Sequence, residues 1–210
     1  MTKEEIDKLV AKYWEEEAYM FPTDVVHSFE PRSSAITYSL VREFKPTSVL
    51  EFGTYQGGSV ILNTKALLKN IKHYEYYISE MNSEYLAMTL QNTLKYCGTT
   101  PRAFGKIEDN LQHVPKKLDY VFIDTDHDVD NCVWYLKNII PRVKKGGLIQ
   151  IHDWSVKESD GHLMYEGGNF EEIKHLIWLA DQGKLPFEKL YAAWDYESEN
   201  TIAGSWWIKK

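Results

Sequence analysis

Apolar positions along this chain follow two rhythms. Ile6, Leu9, Val10 and Tyr13 recur at helical spacing, which predicts an amphipathic helix over residues 3–19 with an acidic outer face. Residues 33–44 predict a second helix, ended at Lys45-Pro46 because a proline pushes the residue before it out of the helical region. From residue 47 the pattern changes. Short apolar runs, TSVLEFG, HYEYYISE, PRAFGKI, KLDYVFIDTD and KKGGLIQIHDW, read as strands. Between them GSVILNTKALLKN, NSEYLAMTLQNTLKYCG and VDNCVWYLKNIIPRV read as helices. Strands that alternate with helices predict a parallel sheet covered on both faces. Beyond it, SVKESDGHLMYEGG is polar and glycine-rich and reads as a mobile loop, followed by the helix NFEEIKHLIWLADQG. Two last β-like runs, FEKLYAAWD and TIAGSWWIKK, predict an antiparallel hairpin that closes the sheet.

Composition narrows the functions open to such a fold. At 210 residues one domain is expected. A net charge of −7 argues against a nucleic-acid or anionic-membrane surface, because phosphate binding needs clustered Lys and Arg. No run approaches the roughly 18 apolar residues of a membrane span, and MTKEEIDKLVAKYWEEE lacks the apolar core of a signal peptide. Cys97 and Cys132 match no C-x-x-C pattern and read as buried free thiols. A cytoplasmic protein acting on a small molecule is the resulting expectation.

Open α/β sheets bind ligands at the carboxyl ends of their strands. There this chain gathers Glu51, Glu80, Glu108, Asp109, Asp124, Asp126, Asp128 and Asp153, with His127 and His152. An acidic rim is costly without cations or hydroxyl donors to satisfy it, so it points to a cationic ligand, a metal, or both. The turn GTYQGG after the first strand departs from the G-x-G-x-x-G dinucleotide fingerprint, and Glu51 is poorly placed beside a pyrophosphate. Glu80, at the next strand end, suits the two hydroxyls of a ribose. A nucleoside carrying a cation fits this set best.

The stretches VLEFGTYQGGSV, YYISEMNSEYL and LDYVFIDTDHDVDNCVWYLKNIIPRVKKGGLIQIHDW, with the terminal hairpin, resemble a class I S-adenosylmethionine-dependent methyltransferase. The nearest likeness is to the macrocin, rhamnosyl and cephalosporin-hydroxylase-like group of small-molecule O-methyltransferases, with a more distant one to the catechol and caffeoyl-CoA type. The resemblance implies a Rossmann-like doubly wound sheet of seven strands, six parallel and one antiparallel, with an N-terminal helical extension. One domain would span 1–210: helices to 45, a cofactor-binding core over 46–153, a lid loop over 154–168, and a helix with the hairpin over 169–210. It places Glu51, Gly53, Thr54, Gln56, Gly57, Gly58 and Ser59 around the methionine part of the cofactor. Glu80 would take the ribose hydroxyls, and Ile107 and Glu108 the adenine, with Asp109 beside them. Asp124 falls at the junction of cofactor and metal. Metal-dependent relatives place a carboxylate there and a second pair where this chain has His152 and Asp153. Asp153 suits Mg²⁺, whereas His152 either admits a softer metal such as Mn²⁺ or Fe²⁺, or stands behind the ligands.

The same resemblance makes His127 the candidate base, with Asp126 as the alternative. Arg32 and His162 would face the acceptor if the N-terminal helices and the lid loop fold over the site. The other histidines (His27, His73, His113, His175) read as surface or packing residues, and the Trp-rich end as hairpin core. The implied reaction is methyl transfer to a sugar or phenolic hydroxyl with divalent-metal help. Rival readings are a hydroxylase-like metal enzyme and a cofactor-binding protein without catalysis. Pairing of two copies through the N-terminal helices or hairpin stays open.

Overall fold

The computed structural model describes the chain apart from residues 17–21, 23, 26–30, 71–72, 153–155, 160–161, 166–170 and 193–204. Five strands, β1 (Ser48–Phe52), β2 (Glu75–Ser79), β3 (Arg102–Phe104), β4 (Leu118–Ile123) and β5 (Val143–Ile151), pair in parallel. Two more follow, β8 (Phe187–Ala192) and β9 (Ser205–Lys209), and the sheet order is β3-β2-β1-β4-β5-β9-β8. Because β9 is antiparallel to both β5 and β8, β8 runs with the first five, giving six strands in one direction and one against. This is the expected sheet.

The period-two alternation of the strands sorts the core into two layers. Leu50, Phe52, Val121, Ile123, Ile149 and Ile151 face α6 (Val129–Asn138) and α7 (Glu171–Asp181). Val49, Tyr120, Phe122 and Leu148 face α1 (Lys3–Tyr13), α2 (Pro31–Phe44) and α3 (Gly58–Asn70). β1 is buried at all five positions, as a central parallel strand covered on both sides should be. The second layer also buries polar groups, and Thr37, Tyr120 and Gln150 partner one another. Tyr120 O–H donates to Gln150 Oε1 at 2.7 Å, and the Gln150 amide donates to Thr37 Oγ1 at 3.0 Å.

α4 (Ser83–Cys97) starts where Asn82 accepts from the N–H groups of Glu84 and Tyr85 and stops at the left-handed Gly98. Besides the helix read over residues 129–143, which stops at Asn138 and gives way to a 3₁₀ turn at Ile140–Arg142, three elements differ from the sequence expectation. The first helix gives way to a 3₁₀ turn at Trp14–Glu16, and residues 17–19 lie outside the described residues. A short helix, α5 (Ile107–Asn110), with a 3₁₀ turn at Leu111–His113, follows β3 where no element was expected, being too short for a periodicity to declare itself. Thirdly, the loop read as mobile carries a two-stranded antiparallel ladder, β6 (Val156–Ser159) and β7 (His162–Tyr165). Its sequence signal is Asp160-Gly161 between the two runs, a turn dipeptide that the surrounding polar residues obscure. No helix among the described residues is long and apolar enough to cross a membrane.

Candidate functional site

Strand order reverses between β1 and β4, and a ligand crevice belongs at such a switch point. A cavity of about 610 Å³ opens there, lined by the ends of β1, β2 and β4, the start of α5 and the first turns of α6. That size suits a small-molecule ligand. Among the described residues, Glu80, Glu108, Asp124, Asp126, Asp128 and Asp130 line it against one cation, Lys106. Apolar faces come from Phe52, Tyr55, Met81, Tyr85, Ile107 and Trp134, with the Tyr55 and Tyr85 rings edge-to-face at 4.7 Å.

The turn after β1 shapes one wall. Gly53 has φ +79°, and a Cβ there would lie 1.5 Å from the Asp124 carbonyl oxygen, so the two loops meet backbone to backbone. The turn aims two amides at Glu80. The Thr54 and Tyr55 N–H groups donate to Oε2 at 3.0 and 3.1 Å, and the Asn82 N–H donates to Oε1 at 2.9 Å. Glu80 is thereby fixed at the cavity wall by three backbone donors.

Glu51 ends the neighbouring strand and meets a different environment. It is fully buried on the α3 side of the sheet and is not among the cavity-lining residues. Ser59 Oγ donates to Oε1 at 2.5 Å, Asn63 Nδ2 to Oε2 at 3.0 Å, and the Tyr76 hydroxyl also donates to Oε2. Burial pushes its carboxyl up to about 7 against the pull of those donors. The rest of the turn is likewise structural in its contacts. Thr54 Oγ1 meets Thr89 Oγ1 at 3.2 Å, the Gln56 carbonyl accepts from Asn92 at 2.9 Å, Gly57 packs on Thr89, and Gly58 opens α3.

At the other half of the rim, Asp124 and Asp126 line the cavity, and so does the start of α5 through Ile107 and Glu108, but not Asp109. His152 is fully buried behind Asp124, its Nδ1 3.4 Å from Asp124 Oδ1 and its ring stacked on Phe122. Asp153 lies outside the described residues. Among the described residues no group of three or more His, Cys, Asp or Glu is placed to hold a metal ion. His127 turns toward α7, where its Nδ1 is 2.6 Å from Glu172 Oε2. Arg32 pairs with Asp7 at 2.9 Å, joining α2 to α1. The side chain of His162 lies outside what the structure describes.

Sequence reasoning did not reach Tyr55, Tyr85, Asn131, Trp134 or Glu172. Tyr85, Asn131 and Trp134 lie in the first turns of helices that follow strand ends, a position that itself marks them. Glu172 carries no local signal, because its partner is 45 positions away.

Comparison with known proteins agrees with this geometry. A family model described as a methyltransferase domain matches residues 50–154, half of the chain. No curated protein sequence matches it. Among solved structures, the O-methyltransferase from Bacillus cereus in complex with SAH superposes with a TM-score of 0.68 at 16% identity, covering 100% of this chain and 92% of that one. The O-methyltransferase TomG from Streptomyces achromogenes, involved in tomaymycin synthesis and bound to SAM, gives 0.63 at 14% identity, covering 100% and 91%. SAH-bound PaMTH1 from Podospora anserina gives 0.62 at 16%, covering 100% and 97%. At these identities the likeness is one of fold.

Proposed function

The chain belongs to the methyltransferase-domain family, and from that premise we propose that it moves a methyl group from S-adenosylmethionine to an oxygen of a small molecule. One observation carries the cofactor assignment: among the described residues, six carboxylates and a single lysine line a cavity at the switch point of the sheet. Such a lining favours a ligand with more positive than negative charge, as a sulfonium nucleoside bearing an ammonium group has. The SAH and SAM named with three neighbours of this fold support the same reading.

Within that reading Glu80 accepts the ribose hydroxyls with the lone pairs its three backbone donors leave open. Ile107 and Trp134 offer apolar walls to the adenine, and Glu108 an acceptor for its exocyclic amine. The turn from Gly53 to Tyr55 closes over the methionine part. When bound, S-adenosylmethionine supplies an electrophilic methyl group, and the acceptor oxygen forms its bond to that carbon as the carbon–sulfur bond breaks. The protein aligns the two and takes the hydroxyl proton, a role for His127, which is outside the cavity lining, or for Asp126, which is within it.

A divalent cation would lower the hydroxyl pKa. Asp124 and Asp153 would supply hard oxygen donors for it, with His152 Nδ1 3.4 Å from Asp124 Oδ1. Oxygen donors of this kind would suit Mg²⁺ best. The macrocin-like group is the subfamily that the motifs favour. A sugar or phenol is the acceptor class it suggests, and Cys97 and Cys132 as free thiols suit a reducing, cytoplasmic setting.

The test is direct. Purified protein is incubated with S-adenosylmethionine and a library of sugar and phenolic hydroxyls, and methylated products are read by mass spectrometry with and without EDTA. Methyl gain on a hydroxyl compound, lost with EDTA and restored by Mg²⁺, is expected. Methyl gain that EDTA leaves intact removes the metal. Methylation confined to nitrogen or carbon acceptors overturns the proposal.

A further inference from the structure

The cavity is acidic, yet among the described residues it admits one cation, Lys106, which a positively charged ligand does not call for. The backbone fixes its place. Glu80 N–H donates to the Phe104 carbonyl at 3.2 Å, and Ser79 Oγ donates to the Gly105 carbonyl at 2.6 Å. The chain leaving β3 is thereby held beside the carboxylate that follows β2. Lys106 comes next, and Asn110 Nδ2 donates back to its carbonyl at 2.8 Å. Across the sheet order β3-β2-β1, Glu80 stands in the middle. The Gly53–Tyr55 turn follows β1 on one side, and Lys106, Ile107 and Glu108 follow β3 on the other.

Lys106 Nζ is 3.9 Å from Glu108 Oε1, with 56% and 37% of the two side chains exposed. That separation is beyond hydrogen-bond range, and an exposed ion pair at such a distance adds little to stability. The two groups stand side by side, an ammonium that donates and a carboxylate that accepts. Together they match a ligand edge on which an acceptor lies next to a donor. A ribose held at Glu80, with its methionine chain toward the Gly53 turn, sends its base the other way, to this wall. The cofactor's own carboxylate travels with the methionine chain, so it is not the partner of Lys106. Adenine carries no charge, but it presents an exocyclic amine beside the ring nitrogen N1, a donor next to an acceptor.

We propose that Lys106 is a specificity-determining residue that, with Glu108, selects adenine over other purines: Glu108 accepts from the exocyclic amine while Lys106 donates to N1 beside it. Hypoxanthine reverses both positions. A carbonyl replaces the amine and N1 carries a hydrogen, so the carboxylate meets an acceptor and the ammonium meets a donor. Each group then loses water without gaining a partner. Guanine reverses the same two positions. Ile107, buried and in the same wall, offers an apolar contact that every purine satisfies, so it adds affinity without choosing among bases. The placing of the base at this wall rests on the S-adenosylmethionine reading, and the selection among purines goes beyond it.

Calorimetric titration tests the selection without turnover. S-adenosylhomocysteine and S-inosylhomocysteine, which differ only along this edge of the base, are titrated into the wild-type protein, Lys106→Met and Glu108→Gln. The wild-type protein should favour the adenine ligand about 10- to 100-fold, less than a fully enclosed site achieves because both side chains are partly exposed. Lys106→Met keeps most of the apolar stem and removes the donor, so it should weaken S-adenosylhomocysteine about 3- to 10-fold and shrink the preference. Glu108→Gln brings an amide N–H to the hypoxanthine carbonyl and should shrink the preference from the other side. Urea unfolding of both variants should match the wild type, since neither side chain is buried. Equal binding of the two ligands by the wild-type protein, or a preference that Lys106→Met leaves unchanged, overturns the inference while the cofactor reading stands. Binding of neither ligand removes that reading and the inference with it.

Discussion

Glu51 and Glu80 lie next to the last residues of adjacent parallel strands, 29 residues apart in the chain, at the carboxyl edge of the sheet. Their surroundings are opposite. Glu51 points into the layer under α3 and meets three side-chain donors, Ser59, Asn63 and Tyr76. Glu80 stands at the cavity wall and meets three backbone donors, from Thr54, Tyr55 and Asn82. A carboxylate satisfied by side chains inside the core is scaffold, and burial pushes its carboxyl up to about 7. A carboxylate gripped by backbone from one side keeps its other side for a ligand. The same residue type thus reaches two fates through strand parity: Glu51 follows Val49 onto the α3 face, whereas Glu80 lies one position past β2, where the chain has left the sheet.

The sharpest way to break the contrast is to remove the turn that creates it. Gly53→Ala places a Cβ 1.5 Å from the Asp124 carbonyl oxygen at φ +79°, so the loops after β1 and β4 must part. A loss of about 4 kcal/mol or more in denaturant unfolding is expected, with cofactor binding abolished in whatever folds. A stable variant that binds as wild type would mean the two loops do not depend on each other.

The next effect is a pH dependence set by Glu51. Its folded pKa is raised, so the folded state holds the proton more tightly than the unfolded state does. Stability therefore falls as pH rises from the ordinary value of 4.5 to about 7, and levels off above. A shift of this size corresponds to roughly 3 kcal/mol over that window. Glu51→Gln should flatten that part of the stability–pH curve, measured by urea unfolding between pH 4.5 and 8; an unchanged slope would contradict the burial argument. Smallest is Gly57→Ala. Its φ of +89° and a Cβ contact of 3.0 Å with Thr89 Cα predict a cost of about 1–2 kcal/mol with cofactor affinity nearly retained.

Much of this was legible before the structure. The strand–helix alternation and the terminal hairpin specify the sheet and its one reversed strand, because continuous apolar runs between helical repeats admit few other layouts. Glu80, Ile107, Glu108, Asp124 and Asp126 are strand-end residues, and the structure brings all five to one cavity. Glu51 shows what position alone leaves open. Being at a strand end does not say which face of the sheet a side chain takes, and Ser59 and Asn63, its partners, look like ordinary helix residues in sequence. The pairing of His127 with Glu172 was illegible for another reason. It joins a loop to a helix across 45 positions, and nothing local marks a buried glutamate as a partner.

The central claim is that the Glu80 side of this edge holds the nucleoside and the Glu51 side does not. Calorimetric titration of S-adenosylhomocysteine into the wild-type protein, Glu80→Gln and Glu51→Gln tests it. Glutamine at position 80 sets an amide nitrogen against backbone N–H donors and loses the charge, so affinity should fall about 10- to 100-fold. Glutamine at position 51 should leave affinity within roughly threefold, because its contacts stay inside the core. The reverse pattern, or a wild-type protein that binds no S-adenosylhomocysteine, would contradict the account.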